Sequence, residues 1–429
     1  MTDPATILTS LLAADQVVGA DQLPAWVTQL GQTPVLVYPH SEAELAAVMA
    51  CAHQQQWRIL PCGGGSKLNW GGLLKPIDLV VSTARLNQVI DHAVGDMTLT
   101  VQAGTRLADL ETPLANQQQW LAMDPAYGNL ATLGGVVATA DLGALRQSYG
   151  GVRDRVIGLT WVRHDGQIAR AGGRVVKNVA GYDLMKLMTG SYGTLGVISQ
   201  LTLRLYPVPD TSKTVVVTAA AADLTRLTHQ VRSSPLTPVA LDLFSPPLIQ
   251  ALGLPPGYGL AARFQSLEAG VEEQIALLRA MASAECHLEI LTETQEELFW
   301  RGASTALYGS LAQPPELLAK VGVPPTAMVP WLESLTNLLP HPLARFHAGS
   351  GIGTLRLEGE GGEMERVQAL RSHCHQVGGY LTLHLARPQI KTEIDVWDYQ
   401  GKALGLMGKV KAEFDPHGRL SPGRFVGGL

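Results

Sequence analysis

Apolar segments alternate with helix-forming stretches along the first half of the chain. Short apolar runs predict four β-strands, at 35–38, 57–60, 77–82 and 98–104. Ser41 is a suitable N-cap for a helix over 41–56, because strong helix formers follow it. The stretch 156–172 turns at the pair Asp165–Gly166, which predicts a β-hairpin. We therefore expect an α+β domain over 33–209, preceded by a helical lead-in at 1–32.

A second series of strand and helix patterns follows the prolines that end the first domain. Residues 210–402 contain two similar runs in which strands and helices alternate, as in a ferredoxin-like α+β sheet. The last segment, 403–429, is basic, contains Gly and Pro, and is too short to form a domain. We expect this segment to dock on one of the two domains.

The composition limits the functions open to the chain. Charged residues make up 16% of the 429 residues, below the typical ~25%, and the net charge is −5. With an isoelectric point near 6.2, this argues against a basic nucleic-acid-binding protein. The hydrophobic share of 46% is sufficient for a large core, so disorder is excluded as the main state. The low charge fits either a surface covered by partner subunits or a compact, glycine-rich monomer.

The sequence also bears on the compartment. No apolar run approaches the ~18 residues needed to cross a bilayer, and the acidic N-terminus does not resemble a signal peptide. The cysteines are far apart and form no CxxC pair, so we expect neither a zinc ribbon nor an iron–sulfur cluster held by this chain alone. They are Cys51, Cys62, Cys286 and Cys374. These features favour a reduced, cytoplasmic compartment.

Glycine clusters carry the candidate chemistry of this sequence. The loop 61–67, PCGGGSK, follows a predicted strand and can present successive backbone N–H groups to an anion such as a diphosphate. Alone it also fits a flexible turn, and it lacks the spacing of a Walker A or GxGxxG motif. Three more glycine-rich segments follow, at 124–143, 149–154 and 177–199. Each alone would fit tight turns, whereas all of them in this order form a specific pattern.

This pattern resembles the FAD-binding domain of the vanillyl-alcohol oxidase/PCMH flavoprotein superfamily over roughly 32–208, with 414–424 as its C-terminal companion. Within the superfamily, the stretch 172–198 is similar to the FAD-binding E subunit (GlcE type) of glycolate oxidase. The resemblance implies an α+β fold with a PCMH-type FAD-binding domain of two subdomains and a ferredoxin-like α+β cap domain. It also implies that the C-terminal segment docks on the FAD-binding domain.

Position by position, the resemblance implies FAD-binding residues in four segments. The phosphate loop supplies Gly63, Gly64, Gly65, Ser66 and Lys67. A second loop, beside the phosphates and the flavin, supplies Asp124, Pro125, Thr132, Leu133, Gly134, Gly135, Ala138, Thr139 and Gly143. The next turn and a strand edge supply Tyr149, Gly150, Arg153, Asp154, Gly196, Val197 and Ile198.

The resemblance also bears on how FAD is attached. Some members of the superfamily attach FAD through a histidine near the first glycine loop, but no histidine occurs between Gln54 and Ile90. Cys62 lies inside the phosphate loop, where an uncommitted thiol is the simpler interpretation than a covalent tether. We therefore predict non-covalent FAD.

The sequence departs from the related 2-hydroxy-acid dehydrogenases in the predicted cap domain. Their GHxGDGNxH metal motif corresponds to FHAGSGIGT, where His347 remains but Ser350 and Thr354 replace the acidic residue and the second histidine. A metal needs two or three converging ligands, so we predict no metal site. Their Glu–His pair corresponds to His384 and Leu385. His384 therefore fits a general base, a core histidine or a relic of a lost site.

A second catalytic candidate lies in the motif nearest the expected flavin, which contains Lys177 and Asp183. Lys177 fits a role in holding a substrate carboxylate or in stabilising the reduced, anionic flavin. It fits equally an ion pair that holds its own loop. His384 and Lys177 are thus the candidates for catalysis, and each keeps a structural alternative.

The resemblance implies an FAD-binding subunit of a glycolate dehydrogenase complex that oxidises the 2-hydroxy acid glycolate to glyoxylate. Electrons would pass through FAD to iron–sulfur clusters. The implied partners are a second flavin-binding glycolate oxidase subunit and an iron–sulfur subunit, and the complex could lie peripherally on the inner face of a membrane. Two alternatives stay open: a stand-alone FAD-dependent D-2-hydroxy-acid dehydrogenase acting on glycolate or D-lactate, and a non-catalytic flavin-binding scaffold.

Overall fold

The structure, a computed structural model, describes residues 4–174, 181–358 and 362–429. Its helices, in chain order, are α1 (Pro4–Leu8), α2 (Ala25–Thr28), α3 (Glu42–Gln54), α4 (Ala108–Ala115), α5 (Leu133–Thr139), α6 (Arg146–Tyr149), α7 (Val152–Arg155), α8 (Leu184–Met188), α9 (Ala221–Arg232), α10 (Pro246–Ala251), α11 (Glu268–Met281), α12 (Glu293–Tyr308), α13 (Met328–Leu338), α14 (Glu363–Gln376), α15 (Pro388–Glu393) and α16 (Leu404–Phe414). Its strands are β1 (Val17–Val18), β2 (Val35–Val37), β3 (Ile59–Cys62), β4 (Leu79–Ser82), β5 (Val89–Ala93), β6 (Thr98–Gln102), β7 (Gln119–Trp120), β8 (Val156–Val162), β9 (Ile168–Gly172), β10 (Val197–Arg204), β11 (Tyr206–Pro207), β12 (Thr211–Ala219), β13 (Ala240–Phe244), β14 (Tyr258–Ser266), β15 (His287–Thr292), β16 (Leu317–Gly322), β17 (Leu343–His347), β18 (Ile352–Leu357) and β19 (Tyr380–Leu385).

The chain divides into two compact units. The first unit comprises residues 1–142, 150–208 and 399–429, and the second comprises 143–149 and 209–398. The short segment Gly143–Tyr149 therefore packs with the second unit, although the domain predicted over 33–209 contains it.

A four-stranded sheet opens the first unit, with its strands in the order β1-β2-β4-β3. The strands β2, β4 and β3 are parallel to one another, and β1 pairs antiparallel with β2, so the lead-in contains a strand as well as helices. Helix α3 begins as the sequence predicts, because Ser41 Oγ accepts a hydrogen bond from Glu44 N at 3.1 Å. Its Leu45 and Met49 are fully buried in the core beneath this sheet. The carboxyl end of β3 leads directly into the glycine loop at 63–67.

The first unit also contains a five-stranded antiparallel sheet, in the order β5-β6-β10-β8-β9, and a two-stranded sheet of β11 and β7. The predicted hairpin over 156–172 is confirmed as β8 and β9, with Val162 opposite Ile168 at its turn. Helix α5 contributes Leu133, Val136 and Val137 to the core it shares with β6 and β10. This core holds the second glycine segment against the sheet.

The C-terminal tail also belongs to the first unit. Ile59 N donates to Arg419 O at 2.8 Å, and Ser421 N donates to Ile59 O at 2.8 Å. The tail therefore runs beside β3, the strand that leads into the first glycine loop.

The second unit is built on an eight-stranded antiparallel sheet in the order β15-β12-β14-β13-β17-β18-β16-β19. Alternate residues of β12 face opposite sides: Val215 and Val217 join the larger core, and Val216 joins a smaller core with Phe299 of α12. Both faces of this sheet are therefore packed. Within the described residues, no helix is long and apolar enough to cross a membrane.

Candidate cofactor site

The glycine segments of the first unit meet around one cavity. Residues from all of the predicted segments except the turn at 149–154 line it: Gly63, Gly64, Gly65, Ser66, Lys67, Thr132, Gly134, Gly135, Ala138, Thr139, Gly196, Val197 and Ile198. The structure therefore brings together residues that lie more than a hundred positions apart in the sequence.

The first loop is shaped by close backbone approach. A Cβ atom at Gly63 would lie 2.0 Å from Thr132 Oγ1, and one at Gly64 would lie 3.1 Å from Leu130 O. Gly65 has a φ of +80°, a left-handed conformation that side chains disfavour. Loop 63–65 can therefore rest against the segment 130–132 only without side chains, and its backbone borders the cavity.

Lys67 lines the cavity, but its charge is balanced inside the protein. Its Nζ lies 3.0 Å from Asp141 Oδ2, and the two side chains are 5% and 8% exposed. Asp141 Oδ2 also accepts a hydrogen bond from Ala126 N at 2.8 Å. Sequence reasoning did not single out Asp141, although it lies within the second glycine segment.

The second segment begins with a helix cap. Thr132 Oγ1 accepts a hydrogen bond from Gly135 N at 3.3 Å, and Thr139 Oγ1 donates to Gly135 O at 2.8 Å. A Cβ atom at Gly134 would lie 2.8 Å from the Ala103 side chain. Glycine at this position therefore lets α5 lie close to the strand end at the cavity.

The third segment closes the cavity at the start of β10. A Cβ atom at Gly196 would lie 2.7 Å from Trp161 Cδ1, so only glycine fits there. Tyr192 also lines the cavity, where burial raises its pKa and the charge of Asp141 adds to the rise. The tyrosine is therefore uncharged at neutral pH.

Two further lining residues, Arg424 and Cys62, were not among the predicted FAD-binding residues. Arg424, from the C-terminal tail, is 5% exposed, and burial lowers its pKa to about 10. Cys62 also lines the cavity, and burial raises the pKa of its thiol to about 12, so the thiol is protonated at neutral pH. Arg424 is the last residue of the C-terminal companion motif at 414–424, which was the available signal.

Several predicted FAD contacts do not line the cavity. Leu133 is a fully buried core residue, and Gly143 and Tyr149 pack with the second unit. Tyr149 Oη donates to Gln265 Oε1 at 3.3 Å there. The others that do not line it are Asp124, Pro125, Gly150, Arg153 and Asp154.

The predicted remnant of a metal motif forms a hydrogen-bonded cluster in the second unit, the His347 cluster of His347, Ser350 and Gln147. His347 Nδ1 lies 2.7 Å from Ser350 Oγ, and Nε2 lies 2.7 Å from Gln147 Oε1. Burial lowers the pKa of His347, which favours the neutral ring. Thr354 Oγ1 instead lies 3.1 Å from Tyr308 Oη. Across the ranges that the structure describes, no group of three or more His, Cys, Asp or Glu could hold a metal.

The two catalytic candidates have different outcomes. His384 lies on β19 and is 7% exposed, next to Leu385. Lys177 lies outside the described residues. Its companion Asp183 forms a local ion pair with Lys186, at 2.6 Å.

Comparison with known proteins identifies the cofactor. Residues 33–172 match a family model described as an FAD binding domain. This range contains both the loop 63–67 and the segment 132–139. The close-packed glycine loops that line the cavity also fit a cofactor bound through the loop backbone. The chain therefore contains an FAD-binding domain, and FAD is its cofactor.

The wider comparisons concern relatives and fold. The chain is 25% identical to glycolate oxidase subunit GlcD of Bacillus subtilis (strain 168) over 419 residues, covering 91% of this chain and 88% of that protein. It is 40% identical to glycolate oxidase subunit GlcE of Escherichia coli (strain K12) over 125 residues, or 29% of this chain and 36% of that protein. The crystal structure of p-cresol methylhydroxylase with substrate bound matches 98% of this chain and 95% of that chain, with a TM-score of 0.78 and 15% identity. This likeness confirms the predicted α+β, PCMH-type fold.

Proposed function

Because this chain is an FAD-dependent oxidoreductase with a PCMH-type fold, we propose that it is the FAD-binding subunit of a glycolate dehydrogenase complex. The observation that carries the proposal is the cavity formed by the glycine loops, which most of the predicted FAD-binding residues line. The substrate class, a small 2-hydroxy acid, is supported by the similarity to two glycolate oxidase subunits.

FAD occupies this cavity without a covalent bond in the proposed holoprotein. Loop 63–67 and the start of α5 bind it through close backbone approach, and Gly196 to Ile198 complete the wall. The buried, protonated thiol of Cys62 is a poor nucleophile, which supports non-covalent attachment. Asp124, Pro125 and the turn at 150–154 stay predicted contacts.

When bound, FAD would supply the redox centre that takes up electrons removed from the hydroxy acid. The chain positions the cofactor and surrounds it with a cavity wall that has little contact with water. Leu60, Trp70 and Val197 border the cavity and are at most 2% exposed. Such burial excludes water from the cofactor and fixes its orientation.

We assign the complete substrate site to a partner subunit. In this chain both ring nitrogens of His347 already have hydrogen-bond partners, and His384 is buried beside Leu385 rather than a glutamate. Neither histidine therefore has the surroundings expected of a base or metal ligand in the related dehydrogenases. The proposed partners are a second flavin-binding subunit and an iron–sulfur subunit, which carries the electrons onward.

A stand-alone 2-hydroxy-acid dehydrogenase is the second candidate, and one observation favours it. The similarity to GlcD spans 91% of this chain, whereas the similarity to GlcE is confined to 125 residues. In that case His384 would be the first residue to test as a base. A non-catalytic scaffold is the third candidate, in which the bound flavin would never be reduced.

The test is anaerobic reduction of the flavin, first in the purified chain and then in the chain mixed with its partner subunits. We expect glycolate and D-lactate to leave the flavin of the isolated chain oxidised, and glycolate to bleach it in the complex. Bleaching of the isolated chain would establish the stand-alone enzyme. A flavin that stays oxidised in a complex that turns over glycolate would establish the scaffold.

A further inference from the structure

We infer that the buried pair of Lys411 and Asp415, here called the Lys411 clamp, lets the C-terminal tail position the third glycine segment of the FAD site. Neither residue lines the cavity, so both are positioning residues. The inference rests on the placement of FAD in the cavity and is independent of the substrate. It makes cofactor affinity depend on a side chain 217 positions away from the wall segment that it supports.

Lys411 connects three parts of the chain. It lies on α16, and its side chain is only 9% exposed. Its Nζ donates to Thr194 O at 2.8 Å, to Leu420 O at 2.9 Å and to Asp415 Oδ2 at 2.5 Å. An ammonium group has three N–H donors, and these three acceptors use all of them. Lys411 therefore holds the third glycine segment and the tail together through contacts within the protein.

Asp415 completes the clamp on the side of the tail. Its side chain is 1% exposed, and its Oδ2 accepts a hydrogen bond from Leu420 N at 2.7 Å in addition to the one from Lys411. The residues on either side of Leu420 exchange backbone hydrogen bonds with Ile59, the first residue of β3. Because β3 leads into the first glycine loop, the clamp joins the third glycine segment to the strand that supports the first.

Thr194 belongs to a tight turn next to the cavity. Its N and its Oγ1 both donate to Ser191 O, at 3.0 Å and 2.6 Å. Gly193 in this turn and Gly196 just after it line the cavity. A Cβ atom at Gly193 would lie 3.1 Å from Ser421 Oγ, so the turn packs directly against the tail. The buried ammonium and this packing together fix the turn, and the lining glycines are fixed with it.

The clamp affects cofactor binding because this part of the wall is backbone. A wall without side chains cannot adjust by side-chain rotation, so its fit depends on the residues that support it. Without the ammonium, Thr194 O would lose its donor and the buried Asp415 carboxylate would lose its cation. A buried carboxylate without its cation is strongly unfavourable, so the tail and the turn must rearrange. We therefore expect the loss of Lys411 to change the shape of the cavity wall.

The experiment measures the FAD affinity of the full-length apoprotein by titration, and its unfolding midpoint in urea. Lys411→Met removes the ammonium. Lys411→Met/Asp415→Leu also removes the carboxylate left without a cation. Arg263→Met is the matched control, because it leaves the Glu296 carboxylate, 4% exposed, without its cation at 3.1 Å. Arg263 lies in the second unit, whereas the lining residues of the cavity belong to the first.

We expect Lys411→Met to lower the unfolding midpoint and to weaken FAD binding by roughly tenfold or more. The double variant should recover much of the midpoint, because no buried charge is left unpaired. It should still bind FAD weakly and exchange the amide hydrogens of 191–198 faster than wild type, because the link to Thr194 O is absent. Arg263→Met should lower the midpoint without changing the FAD affinity.

The double variant separates positioning from general stability. Recovery of both the midpoint and the FAD affinity would overturn the inference in favour of a purely structural pair. An equal loss of FAD affinity in Arg263→Met would overturn it as well, since any loss of stability would then suffice. So would FAD binding by Lys411→Met as tight as that of wild type. Titration of the wild type with FAD tests the cofactor site separately, and glycolate plays no part in either measurement.

Discussion

The glycine-lined cavity of the first unit and the His347 cluster of the second unit are built by opposite means. In the cavity, backbone meets backbone, and a single Cβ atom at Gly63 would collide with Thr132. In the His347 cluster, polar side chains satisfy one another through both ring nitrogens of the histidine. A site shaped by backbone stays open to a large ligand, whereas polar groups that satisfy one another have little capacity left to bind one.

The largest effect is expected from a substitution that fills the glycine-lined cavity and so removes its difference from the His347 cluster. In Gly63→Val the new side chain would lie within 2.0 Å of Thr132 Oγ1, so the loop must move away from α5. We expect the FAD content of the purified protein to fall roughly tenfold or more, the effect of losing at least one well-formed contact. The ratio of flavin to protein absorbance measures this. Gly95→Ala is the control, because no atom lies within 4 Å of its Cβ position. Full FAD content in Gly63→Val would refute the role of the loop.

The buried ion pair at the cavity gives the next largest effect. Lys67→Met leaves the Asp141 carboxylate, 8% exposed, without its cation. Breaking one side of a buried pair costs about 3–5 kcal/mol, whereas replacing both partners costs much less. We therefore expect a large loss of unfolding free energy in urea for Lys67→Met. The double variant Lys67→Met/Asp141→Leu should recover part of it. If the double variant were as unstable as the sum of the two single variants, the pair would not be coupled.

The His347 cluster predicts a smaller, pH-dependent effect. The folded state lowers the pKa of His347, so the unfolded chain binds its proton more readily. The stability that neutral His347 contributes is fully present above about pH 6.5, its ordinary pKa, and is lost as the pH falls through the lower folded value. The difference in unfolding free energy between wild type and His347→Gln should therefore shrink from about pH 8 to pH 5. His417→Gln, at an exposed histidine, is the control. A difference independent of pH would contradict this account of His347.

The smallest effect is expected at Cys62. Because burial keeps this thiol protonated, with a pKa of about 12, Cys62→Ser should bind as much FAD as the wild type. Acid precipitation should release FAD from both proteins into the supernatant. Flavin that stays with the precipitated wild type but not with Cys62→Ser would reveal a thioether bond and refute non-covalent binding.

Local patterns allowed much of the first unit to be predicted from the sequence. The strand at 98–104, the helix after Ser41 and the hairpin over 156–172 depend on residues close together in the chain, and the structure confirms them. The glycine motifs were also visible, because close backbone approach requires glycine at fixed positions.

The remainder depends on contacts between distant segments. The sequence analysis did not predict β15, because most of its residues are half-buried and show no clear alternation of apolar and polar residues. In addition, α12 follows β15 directly, so no turn residues mark the end of the strand. Asp141 and Arg424 form their contacts only when folding brings them to Lys67 and to the carbonyl of Trp70. The spacing of Asp141 and Lys67 along the chain contains no signal for their contact, and for Arg424 the signal was the companion motif at 414–424.

The most direct test of the central claim is the visible spectrum of the purified full-length chain, taken without partner subunits after gel filtration with excess FAD. The account predicts a yellow protein that holds one FAD per chain and releases it unmodified on denaturation. A colourless protein that takes up no FAD under these conditions would contradict the assignment of the glycine-lined cavity as the cofactor site.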